Sequence, residues 1–240
     1  FPSDRRGAAA GQAGPARPAV RPGGLAGQGK IGIPNGIMGL YETEGAVTFF
    51  GEALELDKLG NALLHGIACV SEDRRGVGLL LEESIEENIA FSAMQVKENF
   101  LKKIGPLKLF DQKKARDHAK DMINLLDIRC TGPKQPVGAL SGGNQQKVCL
   151  ARALTMSPKL LIVSAPTRGI DIGAKKLVLE YLMRLNREKG ITIMMVSSEL
   201  VELRSLCDRI AIVSDGKIVT ILKPDDKDAE FGLAMAGSRK

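Results

Sequence analysis

Aromatic residues are scarce: tryptophan is absent, and Phe, Tyr and Trp together make up 4% of the 240 residues. A core built from this chain is therefore aliphatic. Histidine occurs only as His65 and His118, and the four cysteines (Cys69, Cys130, Cys149, Cys207) stand far apart without a C-x-x-C pair. That supply argues against a zinc site and a disulfide framework, and it suits reduced, cytosolic thiols. No apolar run approaches the ~20 residues needed to span a bilayer, and the N-terminus carries no apolar signal-peptide core. The expectation is a soluble, intracellular domain. Charge of one sign is not concentrated either. The formal net charge is +6, but the basic residues are scattered, which reads as a solvated surface rather than a nucleic-acid footprint.

What is present is ordinary globular composition, 44% hydrophobic and 26% charged, at a length that suits one large domain or two small ones. Residues 1–22, FPSDRRGAAAGQAGPARPAVRP, are almost wholly Ala, Gly, Pro and Arg. They have neither alternation nor a helical period, so they are expected to be disordered and unable to supply a strand. From Gly23 the character changes. AVTFFG reads as a short strand, and HGIACVSEDR as a strand running into a charged loop. Residues 83–128 carry long apolar stripes, as in ARDHAKDMINLLDI, and read as helices. LSGGNQQKVCLARALTM is a further helix, and KLLIVS is a continuous apolar run of the kind found in buried parallel strands. KKLVLEYLMRLNREKG reads as a helix ending at Gly190, ITIMMVS as a second buried strand, SELVELRSLCD as a helix, and RIAIVSDGKIVTIL as a hairpin turning at Asp215-Gly216. This alternation predicts an α/β fold with a mostly parallel sheet. A helical subdomain is inserted at about 80–149, a small antiparallel β element accompanies the sheet, and residues 223–240 form a polar tail.

LSGGNQQKV, residues 140–148, places two adjacent glycines at the start of an amphipathic helix. Ser141 is a good N-cap residue, and Gly142 and Gly143 leave the first amides open to an anion, for which a phosphate is the usual occupant. Upstream, GLAGQGKI fits G-x-x-x-x-G-K with Gly24, Gly29 and Lys30, and Gly27 adds backbone freedom. Pro34 falls in the helix that should follow; in a first turn its cost largely vanishes.

LSGGNQQKV, KLLIVSAPTRGID and MMVSSELVEL, in this order and spacing, resemble the second ATP-binding domain of the tandem ATP-binding-cassette (ABC) ATPases that power bacterial import of ribose-, galactose- and xylose-like sugars. The resemblance runs from about Gly23 to Leu222. It implies a P-loop NTPase-like ABC core that binds ATP through Gly24, Gly27, Gln28, Gly29, Lys30 and Ile31. Leu140, Ser141, Gly142, Gly143, Asn144 and Gln145 would face the nucleotide of a partner domain, because two such domains close head to tail. Glu72 takes the position of a glutamine near magnesium, Asp171 lies in the loop that crosses the dimer seam, and Ser198 takes the switch position that is usually histidine. Arg74 and Arg75 follow Glu72 in a loop expected near a permease, where a solvated charged turn is the plainer reading. The adenine-stacking aromatic is unassigned, since only Phe1 precedes the phosphate loop.

The departures from that family are chemical. Ile31 stands where Ser or Thr ligates magnesium, and Ser164 and Ala165 stand where the magnesium-holding Asp and the water-activating Glu belong. A general base is worth ~10²–10⁴ in rate, so self-contained hydrolysis is expected to be very slow and Mg2+ at this site weak or absent. The expectation is an ATP-binding domain of a sugar importer with a degenerate site of its own. Its partners would be a second ABC ATPase domain, in the same polypeptide or a dimer, and a transmembrane permease, with no nucleic acid. It would lie on the cytoplasmic side of the membrane, peripheral through the permease. Two alternatives stand beside it: a non-hydrolytic nucleotide-gated interaction module, and a damaged copy whose first residues replace a required strand.

Overall fold

The computed structural model describes residues 20–24, 30–55 and 60–236, with side chains from Lys30 onward. Its centre is the strand β7 (Leu160–Ser164), all five residues of which are buried. The continuous apolar run has this form because both faces of the strand are covered. On one side β7 pairs in parallel with β4 (Ile67–Val70), Ile67 opposite Leu160 and Val70 opposite Val163. On the other it pairs in parallel with β8 (Thr192–Val196), Ser164 opposite Val196. Beyond β8 runs β1 (Val20–Gly24), which pairs in parallel with β9 (Arg209–Ser214) from Val20 opposite Arg209 to Gly24 opposite Val213. β10 (Lys217–Leu222) closes the layer as an antiparallel edge. The turn between β9 and β10 is Asp215 (φ 50°) and Gly216 (φ 71°), the two left-handed residues a tight hairpin demands.

β1 corrects the expectation that residues 1–22 supply no strand. The ladder to β9 is made by backbone groups, so it does not need the apolar alternation that VRPGG lacks. Pro22 has no N–H to donate, and β1 runs beside β8 without a bonded ladder among the described residues. The expected disorder of residues 1–19 lies outside the described residues.

The helices cover the sheet. α1 (Gly32–Ile37) and α2 (Asn61–Leu64) flank a small hairpin of β2 (Val47–Phe49) and β3 (Glu52–Leu54). Pro34 is the third residue of α1, where its missing N–H has no helical acceptor to lose. α3 (Ile85–Lys97) starts at a capping box, Glu87 N donating to Ser84 Oγ at 3.2 Å and Ser84 N to Glu87 Oε2 at 3.0 Å. α4 (Gln112–Leu126) is tied to α3 by a bidentate pair, Arg116 Nε and Nη2 donating to Glu86 at 2.8 and 2.9 Å. α5 (Gly142–Thr155) buries Val148, Cys149, Leu150 and Ala151 in the main core. α6 (Ile172–Lys189) ends at Gly190 (φ 65°), and α7 (Leu200–Leu206) precedes β9.

Two further expectations are corrected. Residues 83–128 are not helical throughout: β5 (Leu101–Ile104) and β6 (Leu107–Phe110) form an antiparallel hairpin between α3 and α4. Gly105-Pro106 breaks the helical pattern, and the hairpin turns there. The polar tail also contains α8 (Asp228–Met235), on which Phe231 is 1% and Ala234 5% exposed. Arg204 holds the segment before it, donating to Pro224 O at 2.7 Å and Asp226 O at 2.6 Å, and it lies 4.9 Å over the Phe231 ring.

Candidate functional site

The carboxyl ends of β1, β4, β7 and β8 lie on one side of the sheet, where open parallel sheets bind ligands. Gly24 closes β1, while Gly27, Gln28 and Gly29 lie outside the described residues. The chain is next described at Lys30, which is buried and opens the turn into α1; Ile31 is the N-cap residue of that helix. Lys30 Nζ donates to Ser198 Oγ at 2.8 Å. Burial lowers the pKa of this ammonium, and the nearby Glu72 carboxylate opposes that shift. The structure thus brings together three residues far apart in sequence: Lys30, Glu72 and Ser198.

β7 delivers Ser164, buried, and then Ala165. Ala165 sits in the left-handed region (φ 43°), its amide donating to Val196 O at 2.7 Å and its carbonyl accepting from Arg168 N at 3.0 Å. This conformation costs a non-glycine residue ~1–2 kcal/mol, and the two backbone bonds hold it. Neither Ile31 nor Ala165 has a side-chain oxygen. The Glu72 carboxylate lies 3.4 Å from Arg168 Nη1. Among the described residues no three His, Cys, Asp or Glu side chains come together. A magnesium ion favours carboxylates and compact octahedral oxygen ligation, and the residues at the end of β7 offer it one neutral hydroxyl.

The Leu140–Gln145 stretch forms a separate cluster. Leu140 is buried. Ser141 has the extended backbone of an N-cap, but its hydroxyl does not cap the helix; it accepts from Asn144 Nδ2 at 3.0 Å. Asn144 Oδ1 in turn accepts from Arg129 N at 3.0 Å. The amide side chain has taken the serine oxygen, which corrects the capping expectation. The first helical bond is Gln145 N to Ser141 O, so the amides of Gly142, Gly143 and Asn144 have no acceptor inside the helix. Gln145 is buried and donates to Val137 O at 3.3 Å. The two glycines are also packing positions. A Cβ on Gly142 would lie 3.1 Å from Gly169 O, and one on Gly143 would lie 3.1 Å from Ala174 Cβ. Asp171 caps α6, accepting from Ala174 N at 2.9 Å.

Sequence reasoning missed a buried carboxylate. Glu202 of α7 accepts from Thr167 Oγ1 at 2.6 Å and from Ser197 Oγ at 3.2 Å, with Lys175 Nζ 3.7 Å away. Burial pushes its carboxyl above the ordinary range. The network joins the turn after β7 to the end of β8, and its one sequence signal was an acidic residue beside the apolar positions of a short helix. Arg74, in the loop expected near a permease, donates through its guanidinium to Arg168 O at 2.6 Å and Gly169 O at 3.0 Å, partners that residue identity alone did not indicate. No helix among the described residues is long and apolar enough to cross a membrane.

Comparison with known proteins places this geometry. The sequence profile of the ABC transporter family matches residues 23–168. The ribose import ATP-binding protein RbsA of Geobacillus kaustophilus (strain HTA426) is 38% identical over 219 residues, covering 90% of this chain and 43% of that protein. RbsA 2 of Rhizobium meliloti (strain 1021) is 39% identical over 215 residues, covering 89% and 40%. The chain therefore spans less than half the length of either relative. Among solved structures, the ATP-binding cassette MJ0796, dimeric in a post-hydrolysis state bound to ADP and Pi, aligns with a TM-score of 0.71 at 22% identity, covering 88% of this chain and 87% of that one. The cassette MJ1267 in its ADP conformation aligns with a TM-score of 0.69 at 20% identity, covering 91% and 84%. The chain shares the fold of these ATP-binding cassettes, and it belongs to the ABC transporter family.

Proposed function

We propose that this chain is the second ATP-binding domain of a tandem sugar-import ATPase, which completes a partner domain's site while its own site is degenerate. The observation that carries the reading is the contrast between its two clusters. At the end of β7, Ser164 and Ala165 replace the carboxylates a hydrolytic site uses, and Ile31 brings no oxygen to the metal. At the start of α5, by contrast, three amides are unused by the helix. A helix N-terminus contributes ~0.3–1 kcal/mol of charge stabilisation, up to ~2 when partly buried. That suffices to favour closure over a nucleotide and falls short of performing the chemistry. The relatives' names support ribose or a similar solute as the cargo, and their greater length supports a second cassette in the same polypeptide. A permease would then hold the pair on the cytoplasmic face.

In this reading Lys30 meets the phosphates of ATP, together with the glycines that precede it in sequence, and magnesium is held poorly. β1 speaks against one ground for the damaged-copy alternative, the missing strand, because Val20–Gly24 form one. The test is calorimetric titration of the chain with ATP in EDTA and in magnesium. Weak binding that magnesium changes by less than a few-fold is expected; a large gain on adding magnesium refutes the degenerate site.

A further inference from the structure

The segment between β4 and α3 is wound as a single π-helical turn, Arg74–Gly78. Val77 N and Gly78 N both donate to Asp73 O, at 3.2 and 2.9 Å, and Gly76 N donates to Asp73 Oδ1 at 2.8 Å. Both ends of this turn are gripped. At its start, the two terminal nitrogens of Arg74 fork onto the carbonyls of Arg168 and Gly169 at 2.6 and 3.0 Å. A Cβ on Gly142 would lie 3.1 Å from that same Arg74 Nη2, so the guanidinium packs against the first residue of α5. At its end, the Gly78 carbonyl accepts from Arg152 Nη1 at 2.9 Å, and Arg152 is itself on α5, its Nε bonded to Ser92 Oγ at 2.8 Å. The turn therefore touches α5 at two points ten residues apart, about 15 Å along the helix, and touches the turn after β7 at a third.

We infer that Arg74 is a positioning residue that fixes the N-terminus of α5 and the 168–171 turn as one unit, setting both for reaction at a partner's nucleotide. Arginine is required for its fork. Two adjacent carbonyls are met by two coplanar N–H groups, a geometry that the point charge of a lysine does not reproduce. The Arg74 Nε atom is buried without a partner, a cost consistent with a side chain committed through its outer nitrogens. This inference rests on the reading that α5 serves a partner domain.

The test uses Arg74→Lys and Arg74→Met in the full chain, with Ser141→Ala as the control for the half-site reading. Amide hydrogen exchange should rise at Gln145 and Arg168, the amides bonded to Ser141 O and Ala165 O, together by about tenfold, the loss of one charge-assisted hydrogen bond expressed as a ratio. The 101–110 hairpin should stay unchanged. Paired with a complete cassette domain, both Arg74 variants should lower kcat by a similar factor and leave KM for ATP unaltered. Faster exchange confined to 74–78, or risen exchange with kcat unchanged, overturns the positioning role. If Ser141→Ala leaves turnover intact, the half-site reading fails while the exchange data still judge Arg74. If Ser141→Ala lowers turnover and Arg74→Lys changes neither exchange nor kcat, Arg74 alone is refuted.

Discussion

Ala165→Glu puts a carboxylate where β7 ends, and the structure states what the change costs. Residue 165 already holds a non-glycine side chain at φ 43°, so the ~1–2 kcal/mol of left-handed strain is common to alanine and glutamate. The backbone bonds to Val196 O and from Arg168 N involve no side-chain atom, and the position is half-buried, which leaves the carboxylate an outlet. Folding should therefore be nearly unchanged, with a Tm within ~2 °C of the parent. A working general base is worth ~10²–10⁴ in rate, or ~2.7–5.5 kcal/mol of barrier. That benefit needs a fixed metal and phosphate, and Ile31 and Ser164 do not supply the oxygens. Ala165→Glu alone is expected to raise ATP turnover by less than about tenfold. Ile31→Thr, Ser164→Asp and Ala165→Glu together should raise it by ~10²-fold or more, because base and metal act as a unit. Steady-state phosphate release at saturating ATP, with thermal melts of each variant, decides it. Full recovery from Ala165→Glu alone would refute the reasoning, since the metal site would then be intact.

Ser141→Ala should cost less than ~1 kcal/mol, because the hydroxyl accepts from Asn144 and caps nothing. It should leave the chain's own ATP affinity unchanged and reduce turnover of the assembled pair; unchanged turnover sinks the half-site reading. It is a cleaner probe than any Gly142 variant, whose Cβ would press on Gly169 O within the same chain. Burial lowers the pKa of His118, against a smaller opposing effect of Asp121, and its Nε2 meets Thr155 Oγ1 at 2.9 Å. The unfolded chain takes up this proton at the ordinary value near 6.5 and the folded chain only below it. The stabilisation is therefore complete above that value and is lost as pH falls toward the lowered folded pKa. His118→Gln should flatten the part of the Tm profile that falls below the ordinary value of 6.5, and an unaltered profile would exclude His118 as its source.

How much was legible in the sequence follows from which groups make each element. β7 is buried on both faces and β8 alternates half-buried with buried residues, so KLLIVS and ITIMMVS announce themselves as apolar runs. α6 carries its own stop at Gly190. β1 is described through its backbone pairing with β9, and VRPGG has no pattern by which to find it. The 101–110 hairpin was hidden because Leu101, Ile104, Leu107 and Leu109 sit at spacings a helix also uses. In the site, residue identity was enough to find the missing oxygens at Ile31, Ser164 and Ala165. It was not enough to find the Lys30–Ser198 bond, the Arg74 fork or the Glu202 network, which join residues 168, 94 and 35 positions apart.

The C-terminal helix bears on where this chain is cut when it is produced or fused to another protein. A fragment ending at Leu222, where the sheet ends, would expose the pocket that Phe231 fills, forfeiting ~1.5–3 kcal/mol of apolar burial. It would also strand Arg204, whose guanidinium spends its hydrogen bonds on Pro224, Asp226 and Asp228. Tags, linkers and split points therefore belong beyond Met235, and a truncation series should be designed from that residue outward.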